Sequence, residues 1–195
     1  VRTVRTVLSV PNVISVVVAV APDDPLCTKV MQEAGMRDDR LHVVDGAEER
    51  QLTVQRALQA PSLTPCDVIL VHDAVRPLAS AQLFERVASE AMVKGAVIPV
   101  LPVLDTIKEV AQHKVIRPVP RQDLRRAQTP QGFRAELMRE AFAASDRVIG
   151  ASTDDSAVVE SAGHVVHICT GEPWNLKLTK PDDLQVAEMY LKLLR

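Results

Sequence analysis

The chain has 195 residues, 23 basic against 25 acidic and 47% apolar, an ordinary globular composition with a formal charge of -2. At roughly 150 residues per domain this is one domain over residues 1–195, and the near-neutral balance gives no electrostatic footprint for nucleic acid or an anionic membrane. The seven glycines are dispersed, so neither GxGxxG nor GxxxxGK occurs, and no apolar run approaches the roughly 20 residues of a membrane helix. No signal-peptide pattern opens the chain, and the three separated cysteines Cys27, Cys66 and Cys169 read as buried free thiols, so a cytoplasmic setting is expected. The five aromatics read as mostly core.

Residues 1 to 9 carry apolar positions at helical spacing that stop at Pro11. The pattern is under way at Val1, so the chain reads as cut at its front. Val13 to Val20 is a β-branched run without alternation, the signature of a strand buried on both faces, and Leu41 to Val44 and Val68 to Val71 are further strands. Between them the spacing predicts helices over 25–34, closed by Gly35, and over Leu52 to Leu58. Ala81 to Lys94 is a helix with Ser80 as N-cap and Gly95 at its close, followed by a strand over Ala96 to Val103. The polar, basic stretch 104–127 breaks the rhythm and reads as an extended arm. A helix near Ala135 to Ala144, a helix start at Thr153-Asp154-Asp155, strands at Val165 to Ile168 and Leu176 to Leu178, and a terminal helix complete the chain. Thr179 and Asp182 have the spacing of a capping box. The alternation predicts a three-layer, doubly wound α/β fold with a mostly parallel sheet.

Ligands of such sheets bind beyond the carboxyl ends of the strands. There, His72-Asp73-Ala74-Val75-Arg76-Pro77 offers a hard carboxylate oxygen and a guanidinium fork, suited to a metal-bound phosphate, or else a local ion pair tying down a turn. The turn Asp45 to Thr53 offers Gly46 for close approach, with Arg50 and Thr53 able to face one pocket; a solvated helix start is the alternative. Asp105 to Lys108, Arg117, Arg121, Arg125, Arg126 and Thr129-Pro130-Gln131 suit an anionic small molecule, or an ordinary solvated surface. Ser152 to Ser156 reads as a helix cap. Alternation sends Asn175, Lys177 and Thr179 to one face, where the lysine needs an anionic partner or an exit to water. The histidines lack HExxH spacing and GxSxG is absent, so His72 reads as structural rather than as a general base.

Taken in order, VVDGAEERQLTV, ILVHDAVRPL, PVLDTIKEV, RRAQTPQGF, STDDSAVVESAG and NLKLTKPDDLQVAE resemble the 2-C-methyl-D-erythritol 4-phosphate cytidylyltransferases of non-mevalonate isoprenoid biosynthesis. The resemblance is collinear over almost the whole chain and is specific through HDAxRP, TPQxF and N-x-K-x-T as a set. It implies a Rossmann-like nucleotidyltransferase fold, CTP and a sugar-alcohol phosphate as substrates, and Mg²⁺ bridging the nucleotide phosphates. Gly46, Ala47, Glu48, Arg50, Thr53 and Ala74 would then contact the cytidine half of CTP, and Asp73 would lie near the metal. Arg76, Thr106, Arg121, Thr129, Thr153 and Lys177 would surround the methylerythritol phosphate, with Arg121 and Lys177 placing its phosphate for reaction. The arm would reach across a two-fold axis, making a homodimer whose Thr106 and Arg121 serve the partner's site.

Ala47 stands where the family usually has a second glycine, and Thr53 where serine is usual. The family's Ala-Ala-Gly-rich loop ending in Pro-Lys-Gln would precede Val1, leaving this chain short of expected catalytic charge. A ribitol 5-phosphate cytidylyltransferase shares three of the motifs, but TDDSAVVESAG and PVLDTIKEV favour the methylerythritol enzymes. A non-catalytic dimeric remnant is the reading from another class.

Overall fold

The computed structural model describes residues 1–22, 24–144 and 154–194. It is a mixed α/β fold in three layers. Helix α1 (Arg2–Ser9) precedes strand β1 (Val16–Val20), helix α2 (Pro25–Glu33), strand β2 (Leu41–Asp45) and helix α3 (Arg50–Leu58). Strand β1 pairs in parallel with β2. It is half-buried along its length rather than buried on both faces, and starts three residues later than the apolar run suggests. Val43 of β2 is exposed, so this pair is open on part of its surface.

The larger sheet is built on strands β3 (Val68–Val71) and β4 (Ala96–Pro102), with helix α4 (Ala81–Lys94) between them. The sequence places α4 correctly: the Ser80 hydroxyl accepts from the Leu83 amide at 3.1 Å, and Gly95 leaves the helix at φ 92. The arm opens as a hairpin of β5 (Ile107–Ala111) and β6 (Lys114–Val119), whose tip residues Gln112 and His113 both take positive φ, the requirement of a type I′ turn. Its last part, β7 (Arg125–Ala127), returns to pair antiparallel with β4.

A strand not foreseen follows. β8 (Gln131–Arg134) lies between β3 and β4, antiparallel to both. Four residues containing a glycine carry too little pattern to announce a strand; the ladders on both edges make it one. β9 (His167–Thr170) runs parallel to β4 on its other edge, so β3, β4 and β9 share one direction and β7 and β8 run against them.

Alternation along β3 and β4 divides the apolar residues between two cores. Ile69 and Ala96 face α5 (Ala135–Ala144) and α6 (Asp155–Ser161) with Phe133, Met138, Phe142, Val158 and Val159. Leu70 and Val97 face α4 with Leu83, Phe84, Val87 and Ala91, and Val10 after α1 seals that side. Gly132 is needed where β8 meets α4. A Cβ there would stand 2.6 Å from Val87 Cγ1 and 2.9 Å from Leu70 Cδ2. Gly132→Ala therefore overpacks a buried layer and destabilises the protein by about 1–3 kcal/mol, read as a lowered midpoint in denaturant; an unchanged midpoint would mean that the layer yields freely.

Three further expectations change. Leu176 to Leu178 form no strand; this extended segment is tied to the Asp73 loop by the Leu178 amide donating to Val75 O at 2.9 Å. Helix α7 (Pro181–Leu193) is capped from Lys180, and the carboxylate that closes the cap is Asp183, not Asp182: its Oδ2 accepts from the Thr179 and Lys180 amides at 2.7 and 2.8 Å. Of the thiols, only Cys169 is buried, and burial pushes it up to about 11. No helix among the described residues is long and apolar enough to cross a membrane.

Candidate active site

The carboxyl end of β3 delivers His72 and Asp73 into a loop that turns back on itself. The Arg76 amide donates to Asp73 O at 2.9 Å, which brings the Arg76 guanidinium over the Asp73 carboxylate with Nε 3.2 Å from Oδ2. Lys177 arrives from the segment after β9 with its Nζ 3.3 Å from the same Oδ2. Burial alone would raise Asp73, but Lys177 and Arg76 outweigh it and hold the carboxyl below its ordinary value. Two cations on one carboxylate leave an excess positive charge at the mouth of the loop, a setting for a multiply charged anion.

Both cations are held from behind. Arg76 Nη1 donates to Asn175 O at 2.9 Å, two residues before Lys177. Asn175 is fully buried, and its Nδ2 donates to Thr129 O at 2.8 Å. Gln128 Nε2 donates to Glu172 O and Asn175 O, while its Oε1 accepts from the Glu172 amide at 3.0 Å. The buried Gln128-Thr129 pair before β8 thus clamps the segment that carries Lys177 through these side-chain to main-chain hydrogen bonds.

His72 completes the frame. Its Nδ1 lies 2.9 Å from Thr129 Oγ1 and its Nε2 3.2 Å from Arg76 O, while the Asp73 amide donates to Thr129 Oγ1 at 3.0 Å. The ring packs edge-on to Phe84 with centroids 4.8 Å apart. Burial pushes the imidazole down to about 4, so it is neutral near pH 7. With both nitrogens engaged, it is no general base, and the structural reading of His72 holds.

The second group lies at the end of β2. The Gly46 amide donates to Val20 O at 2.6 Å, and a Cβ on Gly46 would stand 2.9 Å from that oxygen. Thr53 reaches back from α3 so that its Oγ1 accepts from the Ala47 amide at 2.9 Å. Gly46, Ala47 and Thr53 are therefore one unit. Arg50 leaves it for a different partner: its two terminal nitrogens bind Asp155 Oδ1 and Oδ2 at 2.8 and 2.6 Å. Asp155 is fully buried at the start of α6, and burial, outweighing this pairing, raises its carboxyl. Asp73 and Asp154 also act on Arg50, which joins the β2 turn electrostatically to the Asp73 loop.

Asp154 caps α6 by accepting from the Ala157 amide at 3.0 Å, and Gln131 spans from β8 to this cap, donating to Asp154 Oδ2 and accepting from the Ser156 amide. Gln131, expected in the cluster facing an anion, instead spans to the α6 cap, and Gln128 was not singled out by the sequence; its signal was a glutamine just before Thr129-Pro130 in a stretch that the structure buries.

Among the remaining expected residues, Ala74 is exposed and its carbonyl accepts from Thr3 Oγ1 at 2.9 Å. Glu48 is exposed. Thr106 and Arg121 are exposed on the arm, where Arg121 donates to Leu104 O; among the described residues no contact brings either to Asp73, Arg76 or Lys177. Thr153 lies outside the described residues. Among the described residues no group of three or more His, Cys, Asp or Glu side chains converges on a metal position. Asp73 therefore offers one carboxylate, which suits a hard cation that takes its other ligands from phosphate and water.

Comparison with known proteins matches residues 1–193 to the family described as IspD: 2-C-methyl-D-erythritol 4-phosphate cytidylyltransferase. The chain is 38% identical over 196 aligned positions to the 2-C-methyl-D-erythritol 4-phosphate cytidylyltransferase of Acidobacterium capsulatum, covering 98% of this chain and 82% of that protein. The crystal structure of the enzyme of that name from Thermus thermophilus superposes with a TM-score of 0.77 at 34% identity, covering 91% of this chain and 82% of the other. The 4-diphosphocytidyl-2C-methyl-D-erythritol synthase of Anaerococcus prevotii gives a TM-score of 0.85 at 29% identity over 98% of this chain and 84% of that one.

Proposed function

The chain belongs to the 2-C-methyl-D-erythritol 4-phosphate cytidylyltransferase family, and from that membership we propose how its residues divide the work. The enzyme joins CTP to 2-C-methyl-D-erythritol 4-phosphate in isoprenoid biosynthesis, releasing diphosphate. The observation that carries the division is the convergence of Arg76 and Lys177 on one Asp73 oxygen at the end of β3.

Arg76 and Lys177 take the sugar phosphate, and their charge offsets the repulsion between two anions brought together for in-line attack on the α-phosphorus. A phosphate dianion needs no general base, consistent with a His72 whose nitrogens are both occupied. The unit of Gly46, Ala47 and Thr53, together with Glu48 and Ala74, receives the cytidine half. Arg50 acts through Asp155, holding that unit against α6. Asp73 is the side chain that would hold Mg²⁺ arriving with CTP, which supplies charge neutralisation between the nucleotide phosphates. Thr129 serves the sugar, and the resemblance assigns Thr153, which lies outside the described residues, to the same substrate.

Thr106 and Arg121 belong to the arm, whose Val110, Val115 and Ile116 are exposed. An apolar hairpin standing in water gains by covering that surface, and a second copy of this chain is the partner. A homodimer with Thr106 and Arg121 completing the neighbour's site follows. Deleting residues 107–119 and joining the ends then yields a monomer in light scattering together with at least a hundredfold loss of activity; a dimer that survives the deletion overturns the arm's role.

Phosphorus NMR of CTP, Mg²⁺ and each of two sugar-alcohol phosphates tests the reaction. The methylerythritol phosphate gives a CDP-linked alcohol and diphosphate. Equal or better turnover of ribitol 5-phosphate would reverse the substrate assignment.

A further inference from the structure

With a neutral imidazole, the hydrogen-bond chain behind the Asp73 loop has one consistent set of proton positions. Arg76 O is a carbonyl and can only accept, so His72 Nε2, 3.2 Å away, carries the ring proton. A neutral imidazole then has a bare lone pair on Nδ1. The atom facing it at 2.9 Å is Thr129 Oγ1, which must donate its hydroxyl proton. The same oxygen already accepts the Asp73 amide at 3.0 Å, which uses one of its two lone pairs. The direction runs without a break from the Asp73 amide to Thr129, from Thr129 to His72, and from His72 to Arg76 O.

This direction bears on the ligand. A phosphate dianion has oxygens that accept and no hydrogen to give. With its proton turned inward, the Thr129 hydroxyl offers a phosphate nothing but electron pairs. Thr129 Oγ1 keeps one lone pair that neither of these contacts uses, which suits the O–H of a polyol. Arg76 and Lys177 bring only N–H donors, and these suit the phosphate.

We infer that His72 is a positioning residue that makes Thr129 a hydrogen-bond acceptor, so that Thr129 reads a hydroxyl of the sugar-alcohol chain while Arg76 and Lys177 read the phosphate. This rests on the substrate assignment above and deepens it, dividing recognition of the two ends of one molecule between two sets of atoms. His72 makes no contact with substrate itself. Its other tie, to Arg76 O, holds the loop whose arginine serves the phosphate end.

Two amide replacements separate the nitrogens. His72→Gln places an N–H donor near the Nε2 position and withdraws the acceptor at Nδ1; His72→Asn keeps an oxygen near Nδ1 and gives up the tie to Arg76 O. Inorganic phosphate, as a competitive inhibitor against the sugar phosphate, probes the phosphate end alone. His72→Gln should raise the KM for 2-C-methyl-D-erythritol 4-phosphate about tenfold, the effect of one lost neutral hydrogen bond, with the phosphate inhibition constant and the KM for CTP unchanged. His72→Asn should recover most of that loss. A double-mutant cycle with Thr129→Val should show the two changes to be non-additive.

An unchanged KM in His72→Gln, or a phosphate inhibition constant that rises in step with it, overturns the proposal. If His72→Gln does not fold, Thr129→Val against Thr129→Ser gives the same split: a raised KM for valine alone with constant phosphate inhibition supports it, and parallel shifts refute it. A wild-type enzyme that ignores 2-C-methyl-D-erythritol 4-phosphate, or an Arg76→Ala variant with undiminished phosphate inhibition, refutes the substrate assignment instead of the part played by His72.

Discussion

Lys177→Ala lowers kcat/KM for 2-C-methyl-D-erythritol 4-phosphate on the order of 100-fold or more and leaves the KM for CTP within about twofold, since a fixed cation at a reacting anion is worth two to three decades. The side chain is 47% exposed, and its recorded partner is Asp73, which Arg76 also binds. Removing it leaves Asp73 paired and the loop closed through Arg76 and Asn175, so the fold should survive. Steady-state kinetics in each substrate, with thermal melting as the control for folding, measures the effect. An unchanged rate would remove Lys177 from the site.

Arg50→Met has its largest effect on stability. Asp155 is fully buried and both of its oxygens bind Arg50. Breaking a buried pair by removing one partner costs about 3–5 kcal/mol, and the lower end applies because the arginine side chain is 35% exposed. For a chain of this length that corresponds to a fall in Tm of roughly 6–12 °C. The loss depends on pH in a definite direction. Burial already raises Asp155 in the folded protein, and without Arg50 the carboxyl rises further, so between the unfolded and folded values the folded variant binds a proton that the unfolded chain releases. Its stability is therefore greatest at acid pH and falls as pH rises through the folded value. Melting curves at pH 5 and pH 8 should show a larger deficit against the wild-type protein at pH 8; an equal deficit at both would mean that the variant solvates Asp155.

The sequence conveys those parts of the fold whose causes are local. Helix α4 is legible to the residue because Ser80, the apolar stripe and Gly95 all act within one element. Strand β3 is legible from four consecutive apolar residues. β8 is not, because what makes Gln131–Arg134 a strand is the presence of β3 and β4 on its edges. The same distinction divides the site. Asp73 and Arg76 meet across three residues, and their pairing is among the readings that spacing alone supports. Arg50 and Asp155 meet across 105 residues, and no spacing announces it, so the resemblance sends Arg50 to CTP while its guanidinium lies on a carboxylate. Gln128 escapes notice for the same reason: a polar side chain in a basic stretch reads as solvated until the segment carrying Lys177 folds over it.

The pairing of Val71 with Gln131 sets how far the lineage of this protein can drift in length. The Asp73 loop and the Thr129 loop leave adjacent strands at matched register, so the gap between Asp73 and Thr129 is a ladder spacing. One residue gained or lost in 68–73 or 128–134 would shift that ladder, and because the pleat alternates, it would also send each apolar side chain of the strand to the wrong core. The tip at Gln112-His113 bears no such load. Natural length variation should accumulate there and be purged from the two short strands, leaving the catalytic frame constant in size while the hairpin lengthens or shortens.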